Sequence, residues 1–133
     1  MNFLLDVNVL VAWGWSDHTD HDRVVRWIAG RKKVRNAKLF TSPIPEIGFV
    51  RVSIQRSSRQ ITVSQAADVL RGMLKSLGAI HQFLPDDLTG TEWPAWCASA
   101  TNTTDAHLLE LAKRHGLHLA TLDAGIPGGM ALE

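Results

Sequence analysis

Two short apolar runs, each closed by an aspartate, constrain this chain most. Phe3-Leu4-Leu5 stops at Asp6, and His118-Leu119-Ala120-Thr121-Leu122 stops at Asp123. Short apolar runs without polar alternation read as strands buried on both faces, the habit of a parallel sheet covered by helices.

The segments between these runs carry helical patterns. Val7 to Trp15 reads as a short helix and, after the polar break Ser16 to Asp20, a second spans about His21 to Gly30 with Val24, Val25, Trp27 and Ile28 on its apolar stripe. A basic run through Arg31, Lys32, Lys33, Arg35 and Lys38 precedes a second strand, Leu39-Phe40-Thr41. Ser42-Pro43 opens a third helix, which carries Ile47, Phe49, Val50, Val52 and Ile54 and ends in the polar segment Gln55 to Gln60. Ser64 is the predicted N-cap of a helix over Gln65 to Leu77, closed by Gly78. Ile80 to Leu84 is the third strand candidate, and residues 85–100 read as loop with one helical turn near Trp93, Trp96 and Cys97. The last helix is expected over Thr103 to His115, with Gly116 as its stop.

Strands separated by helices imply right-handed crossovers. The expected class is therefore α/β, a three-layer α/β/α fold with a central parallel sheet of four or five strands. The Gly-rich end Ile126-Pro127-Gly128-Gly129 leaves little sequence for a fifth.

Composition narrows the function. With 133 residues, 45% hydrophobic and 20% charged, the chain is expected to form one domain over 1–133 and not to be disordered or a coiled coil. The 14 Lys and Arg against 13 Asp and Glu, a net charge of +1, predict no polyanion partner by themselves, so a nucleic-acid case must rest on local clusters. The single cysteine, Cys97, cannot form an internal disulfide, and a cytoplasmic setting is the expectation. The N-terminal run is broken at Asp6 and has neither a basic leader nor a cleavage site, so no signal peptide is expected; no apolar run is long enough for a membrane span. There is no P-loop and no G-x-G-x-x-G, hence no expected nucleotide cofactor.

The acids carry the functional signal. Asp17, Asp20, Asp22, Asp68, Asp86, Asp87, Glu92, Glu110 and Glu133 read as solvent-facing. Asp6 and Asp123 instead close strands, Glu46 falls in the first turn after the second strand, and Asp105 in the first turn of the last helix. In an open parallel sheet all of these positions lie at the carboxyl edge, where ligands bind. Helical phase puts Asp105 with Leu108, Leu109 and Ala112, and Glu46 with Phe49, Val50 and Ile54, so both face inward. Carboxylates gathered in a half-buried place either take up protons or share a cation. An all-oxygen donor set selects a hard ion, Mg²⁺ or Mn²⁺. Such an ion can activate water for in-line attack on phosphorus, the chemistry of a phosphodiesterase or nuclease. Asn8 could orient Asp6 or a water, and Thr121 could hydrogen-bond across the site.

At these residues the sequence resembles the PIN-domain family, and within it the VapC toxin branch. Leu4-Leu5-Asp6-Val7-Asn8-Val9-Leu10 resembles the first acidic motif, and Thr41-Ser42-Pro43-Ile44-Pro45-Glu46-Ile47-Gly48-Phe49-Val50-Arg51 the segment around the family's glutamate. Thr104-Asp105-Ala106-His107-Leu108-Leu109-Glu110-Leu111-Ala112 resembles the third motif and Leu119-Ala120-Thr121-Leu122-Asp123 the fourth. Ala124-Gly125-Ile126 departs from the pattern, since relatives often carry a basic residue and an aromatic there. The resemblance implies a Mg²⁺- or Mn²⁺-dependent endoribonuclease, restrained by a VapB antitoxin and forming a homodimer. Asp6, Asp105 and Asp123 are then the expected direct ligands, with Glu46 acting through water.

Arg51, Arg56 and Arg59 follow Glu46 and could grip RNA phosphates, Arg51 being nearest the acid. Trp13 and Trp15 read as packing residues. His18 and His21, like His115 and His118, are expected to lie away from the acids and to bind no zinc. A competing expectation from another class is a catalytically silent PIN-fold module that binds RNA or a partner. A phosphatase with Asp6 as nucleophile is disfavoured, because Asn8 and Leu10 replace the Asp and Thr of an Asp-x-Asp-x-Thr motif.

Overall fold

The computed structural model describes residues 1–132; Glu133, one of the expected solvent-facing acids, lies outside them. The chain runs β1 (Phe3–Leu5), α1 (Val7–Gly14), α2 (His21–Lys32), β2 (Leu39–Thr41), α3 (Pro43–Arg56), α4 (Val63–Leu77), β3 (His81–Phe83), α5 (Thr103–Arg114), β4 (His118–Thr121) and β5 (Met130–Ala131). The five strands form one sheet in the order β3-β2-β1-β4-β5, and every pairing is parallel.

β1 lies at the centre because all three of its residues are apolar and buried. Side chains alternate across a strand. Phe3 and Leu5 accordingly enter the core shared with Val9, Leu10, Val24, Phe49 and Leu70 of α1 to α4, whereas Leu4 enters the opposite core with Leu108, Leu111 and Leu119. Helices thus cover both faces, the expected three-layer α/β/α fold.

The helix starts differ in detail from the sequence reading. α4 is capped by Thr62, not Ser64: Thr62 Oγ1 accepts from Gln65 N at 3.1 Å and Gln65 Oε1 accepts from Thr62 N at 2.8 Å. Only the earlier residue has Gln at the third helical position, so only there can the reciprocal capping box close. α3 ends where Ser58 and Arg59 adopt φ of 54° and 65°, and Arg59 N donates to Ile54 O. Ile47, expected on the apolar stripe of α3, is 65% exposed; Phe49 takes the fully buried place.

The sheet edges also depart from expectation. β3 is shorter than predicted because Ile80 belongs to a 3-10 turn, Gly78–Ile80, and Phe83 is 50% exposed on the edge. At the other edge the chain makes a fifth strand despite its glycines: Met130 pairs with Ala120, Ala131 with Thr121, and Leu132 N donates to Thr121 O at 3.1 Å. Two backbone-paired residues followed by the buried Leu132 suffice. Residues 85–99 contain no helix; near Trp96 the chain makes one turn, with Cys97 N donating to Pro94 O. Among the described residues no helix is long and apolar enough to cross a membrane.

Candidate active site

Asp6 is fixed by the strand that ends on it and the helix that begins after it. As N-cap of α1 it accepts from Val7 N through Oδ1 at 2.7 Å, and Thr121 Oγ1 donates to its Oδ2 at 2.8 Å. The residue is only 3% exposed. Burial raises its pKa, the bonds from Thr121 and Val7 pull it back down, and the charge of Asp123 pushes it up again.

Thr121 is the hub of the surrounding network. Its Oγ1 accepts from Asn8 Nδ2 at 3.3 Å and from Asp123 N at 3.1 Å while donating to Asp6. Asn8 Oδ1 in turn accepts from Leu122 N at 3.1 Å, so Asn8 pins the end of β4 to α1. The expected partnership of Asn8 and Thr121 with Asp6 is thus a chain in which Thr121 touches the carboxylate and Asn8 touches Thr121.

Asp105 stands half-buried in the first turn of α5. Its pKa is pushed up from 3.8 to about 6, first by burial and then by the charges of Asp6 and Asp123. Asp123 itself is exposed just past β4, with Oδ1 accepting from Gly125 N at 2.8 Å. These three aspartates, which adjoin β1, β4 and α5, feel one another electrostatically. None of them has a salt-bridge partner among the described residues.

Glu46 is held differently. Thr41 Oγ1 donates to Glu46 Oε2 at 2.6 Å and lies 2.7 Å from His81 Nε2, an acceptor when that nitrogen bears the proton. Burial lowers the His81 pKa, and the Glu46 charge partly offsets this. Neither Thr41 nor His81 stands out in the sequence, because their meeting depends on β2 and β3 pairing in register.

A cleft of about 410 Å³ is lined by Asp6, Asn8, Thr104 and Asp105 together with Arg51, Arg56 and His18. Arg51, expected to be the arginine nearest the acid, lines the same cleft as Asp6 and Asp105. Arg56 is steadied by Asp17 at 3.0 Å and by the Trp15 ring at 5.1 Å, while Trp15 Nε1 donates to Ser53 Oγ at 2.9 Å. Arg59 is not among the lining residues. His18, expected to lie away from the acids, lines the same cleft as Asp6 and Asp105, although no metal-holding group of His, Cys, Asp or Glu forms among the described residues. Asp86 is a second correction, since its side chain is only 8% exposed and lies 2.6 Å from His107 Nε2, tying the long loop to α5.

The donor set fits a hard divalent cation, being carboxylate oxygen, half-buried, mutually repelling and without a basic partner. Geometrically the fit is looser. Among the described residues no group of three or more His, Cys, Asp or Glu is gathered closely enough to hold a metal ion. The match therefore lies in the chemistry and electrostatics of the acids, without a preformed cage.

Comparison with known proteins agrees with the fold. The PIN domain family model matches residues 3–127. A solved structure of FitAB bound to an IR36 DNA fragment superposes with a TM-score of 0.55 at 19% identity, covering 93% of this chain and 87% of that one. Among curated proteins, Ribonuclease VapC39 of Mycobacterium tuberculosis is 36% identical over 95% of this chain and 91% of its own length. Ribonuclease VapC38 of the same organism is 40% identical over 92% of this chain and 86% of its own length. The chain belongs to the PIN domain family and, within it, to the VapC branch.

Proposed function

We propose that this protein is a Mg²⁺- or Mn²⁺-dependent endoribonuclease of the toxin type, which hydrolyses RNA phosphodiester bonds in the cleft between α1, α3 and α5. The observation that carries the reading is electrostatic: Asp6 and Asp105 are both pushed toward protonation by burial and by neighbouring aspartates, in a cleft that Arg51 and Arg56 also line. Carboxylates and arginines lining one cleft suit a phosphodiester held beside a divalent ion. The VapC ribonucleases it resembles support the same assignment.

In this reading Asp6, Asp105 and Asp123 hold the ion, which would supply Lewis acidity and an activated water. Thr121 and Asn8 keep the Asp6 carboxylate aimed, and Arg51 and Arg56 neutralise phosphate charge along the strand. Glu46, held by Thr41, takes its part through water. We further propose that 1–133 acts as one PIN domain in the cytoplasm, forms a homodimer and is restrained by a VapB-type antitoxin.

The test is cleavage of a mixed structured RNA pool by the protein and by Asp6→Asn, with Mn²⁺ or Mg²⁺ and with EDTA, the ends being mapped. Discrete cuts that need metal and vanish in Asp6→Asn are expected. Activity unchanged by Asp6→Asn would sink the assignment; metal-independent RNA binding without cleavage would turn it toward a catalytically silent module.

A further inference from the structure

His18 lies on the turn between α1 and α2 and is one of the residues lining the cleft that also holds Asp6 and Asp105. Two bonds fix this turn. His18 N donates to Trp15 O at 3.0 Å, and Asp20 N donates to His18 Nδ1 at 3.0 Å. A backbone amide can only donate, so Nδ1 must be the unprotonated acceptor and the neutral ring carries its proton on Nε2. That nitrogen has no hydrogen-bond partner among the described residues.

We propose that His18 contacts the substrate, donating from Nε2–H to a phosphate oxygen of the RNA strand beside Arg51 and Arg56. This rests on the RNA-cleft reading above. The tautomer decides the role: with the proton already on Nε2, the ring offers the cleft a donor and no base. An acceptor is what it requires, and in a cleft that Arg51 and Arg56 also line the natural acceptor is phosphate. His18 is thereby a neutral complement to the two arginines, adding direction without charge.

The experiment compares binding of a labelled random-sequence single-stranded RNA to the intact protein and its variants in EDTA, over a range of salt concentrations. His18→Asn keeps an acceptor for Asp20 N but cannot reach as far as Nε2, whereas His18→Gln places an amide donor near the Nε2 position. Expected for Asn is about tenfold weaker binding with the salt dependence unchanged, because no counterion-releasing charge is lost. Gln should restore affinity to within about twofold of the parent. Arg51→Gln, as the charged comparison, should flatten the slope of log affinity against log salt by about 0.7.

Parent-like binding by His18→Asn would overturn the His18 contact while leaving the RNA cleft standing. A salt slope reduced in His18→Asn as in Arg51→Gln would overturn the neutral-donor role. Absence of RNA binding by the parent in EDTA, beside metal-dependent cleavage by the same protein, would overturn the His18 contact and leave the nuclease reading standing; absence of both binding and cleavage would overturn the two together. Melting temperatures within about 2 °C of the parent confirm that the variants are folded.

Discussion

Thr121 Oγ1 donates a 2.8 Å hydrogen bond to Asp6 Oδ2 across 115 residues of sequence, joining the ends of β1 and β4. The two strands are paired in parallel, Leu5 opposite Ala120, so the next residues along each chain meet at the carboxyl edge. Removing this donor has a defined consequence.

Thr121→Val removes the bond that lowers the Asp6 pKa, leaving burial and Asp123 to raise it further. The acidic limb of the cleavage pH profile is expected to move to higher pH, with about a tenfold loss at neutral pH and roughly 1–3 kcal/mol of stability lost from the unpaired carboxylate. Thr121→Ser should restore the profile. A profile that stays in place in Thr121→Val, measured under single-turnover conditions, would rule out this control of Asp6.

Asp105 and Asp6 also make stability depend on pH. Asp105 ionises near 3.8 when unfolded and near 6 when folded, so the folded protein binds more protons in between. The contribution is fully present below the unfolded value and is lost as pH rises through about 6; the raised Asp6 acts in the same direction. Asp105→Asn is therefore expected to gain melting temperature relative to the parent as pH rises from about 5 to about 7.5 in EDTA. Mg²⁺ should stabilise the parent more at the higher pH and do less for Asp105→Asn. Calorimetric melts at each pH check both; a pH-independent difference between the two proteins would contradict the sign.

Gly48 lets α3 pass close to the start of α1. A Cβ there would lie 2.7 Å from Val7 Cγ2, one residue from Asp6 and two from Glu46. Gly48→Ala is expected to cost about 1–3 kcal/mol through overpacking and to lower cleavage as Val7 is displaced. Gly72→Ala, in the open middle of α4 with nothing within 4 Å, should instead stabilise by about 0.5–1 kcal/mol and leave cleavage unchanged. Denaturant midpoints separate the two; a neutral Gly48→Ala would mean that the helices have room to part.

What could be read in the sequence was what local pattern determines. Phe3-Leu4-Leu5-Asp6 announces a buried strand and the acid at its edge, since burial on both faces leaves no polar alternation. The first-turn places of Glu46 and Asp105 follow equally from helix starts. The capping of α4 required weighing Thr62 against Ser64 by the position of Gln65, two signals that local propensity alone leaves tied. β5 is two residues held by backbone pairing, for which side chains carry almost no signal. The pairings Asp86 with His107 and Thr41 with His81, and the return of His18 to the cleft, arise from contacts between distant segments, beyond any periodicity.

The different settings of Glu46 and Asp105 predict different failures on mutation. Asp105 feels the charges of Asp6 and Asp123, whereas Glu46 is held by Thr41 Oγ1 at 2.6 Å. A direct ligand lost should weaken the ion, while a carboxylate acting through water should leave it bound but poorly used. Glu46→Gln is thus expected to keep Mn²⁺ affinity within about threefold while cleavage at saturating Mn²⁺ falls by about 10–100-fold. Asp105→Asn should lose Mn²⁺ affinity by about 10–100-fold or more. Mn²⁺ titration by calorimetry beside single-turnover cleavage separates affinity from rate. Equal loss of Mn²⁺ affinity in the two variants would make Glu46 a direct ligand, and its bond to Thr41 would then have to break when the ion binds.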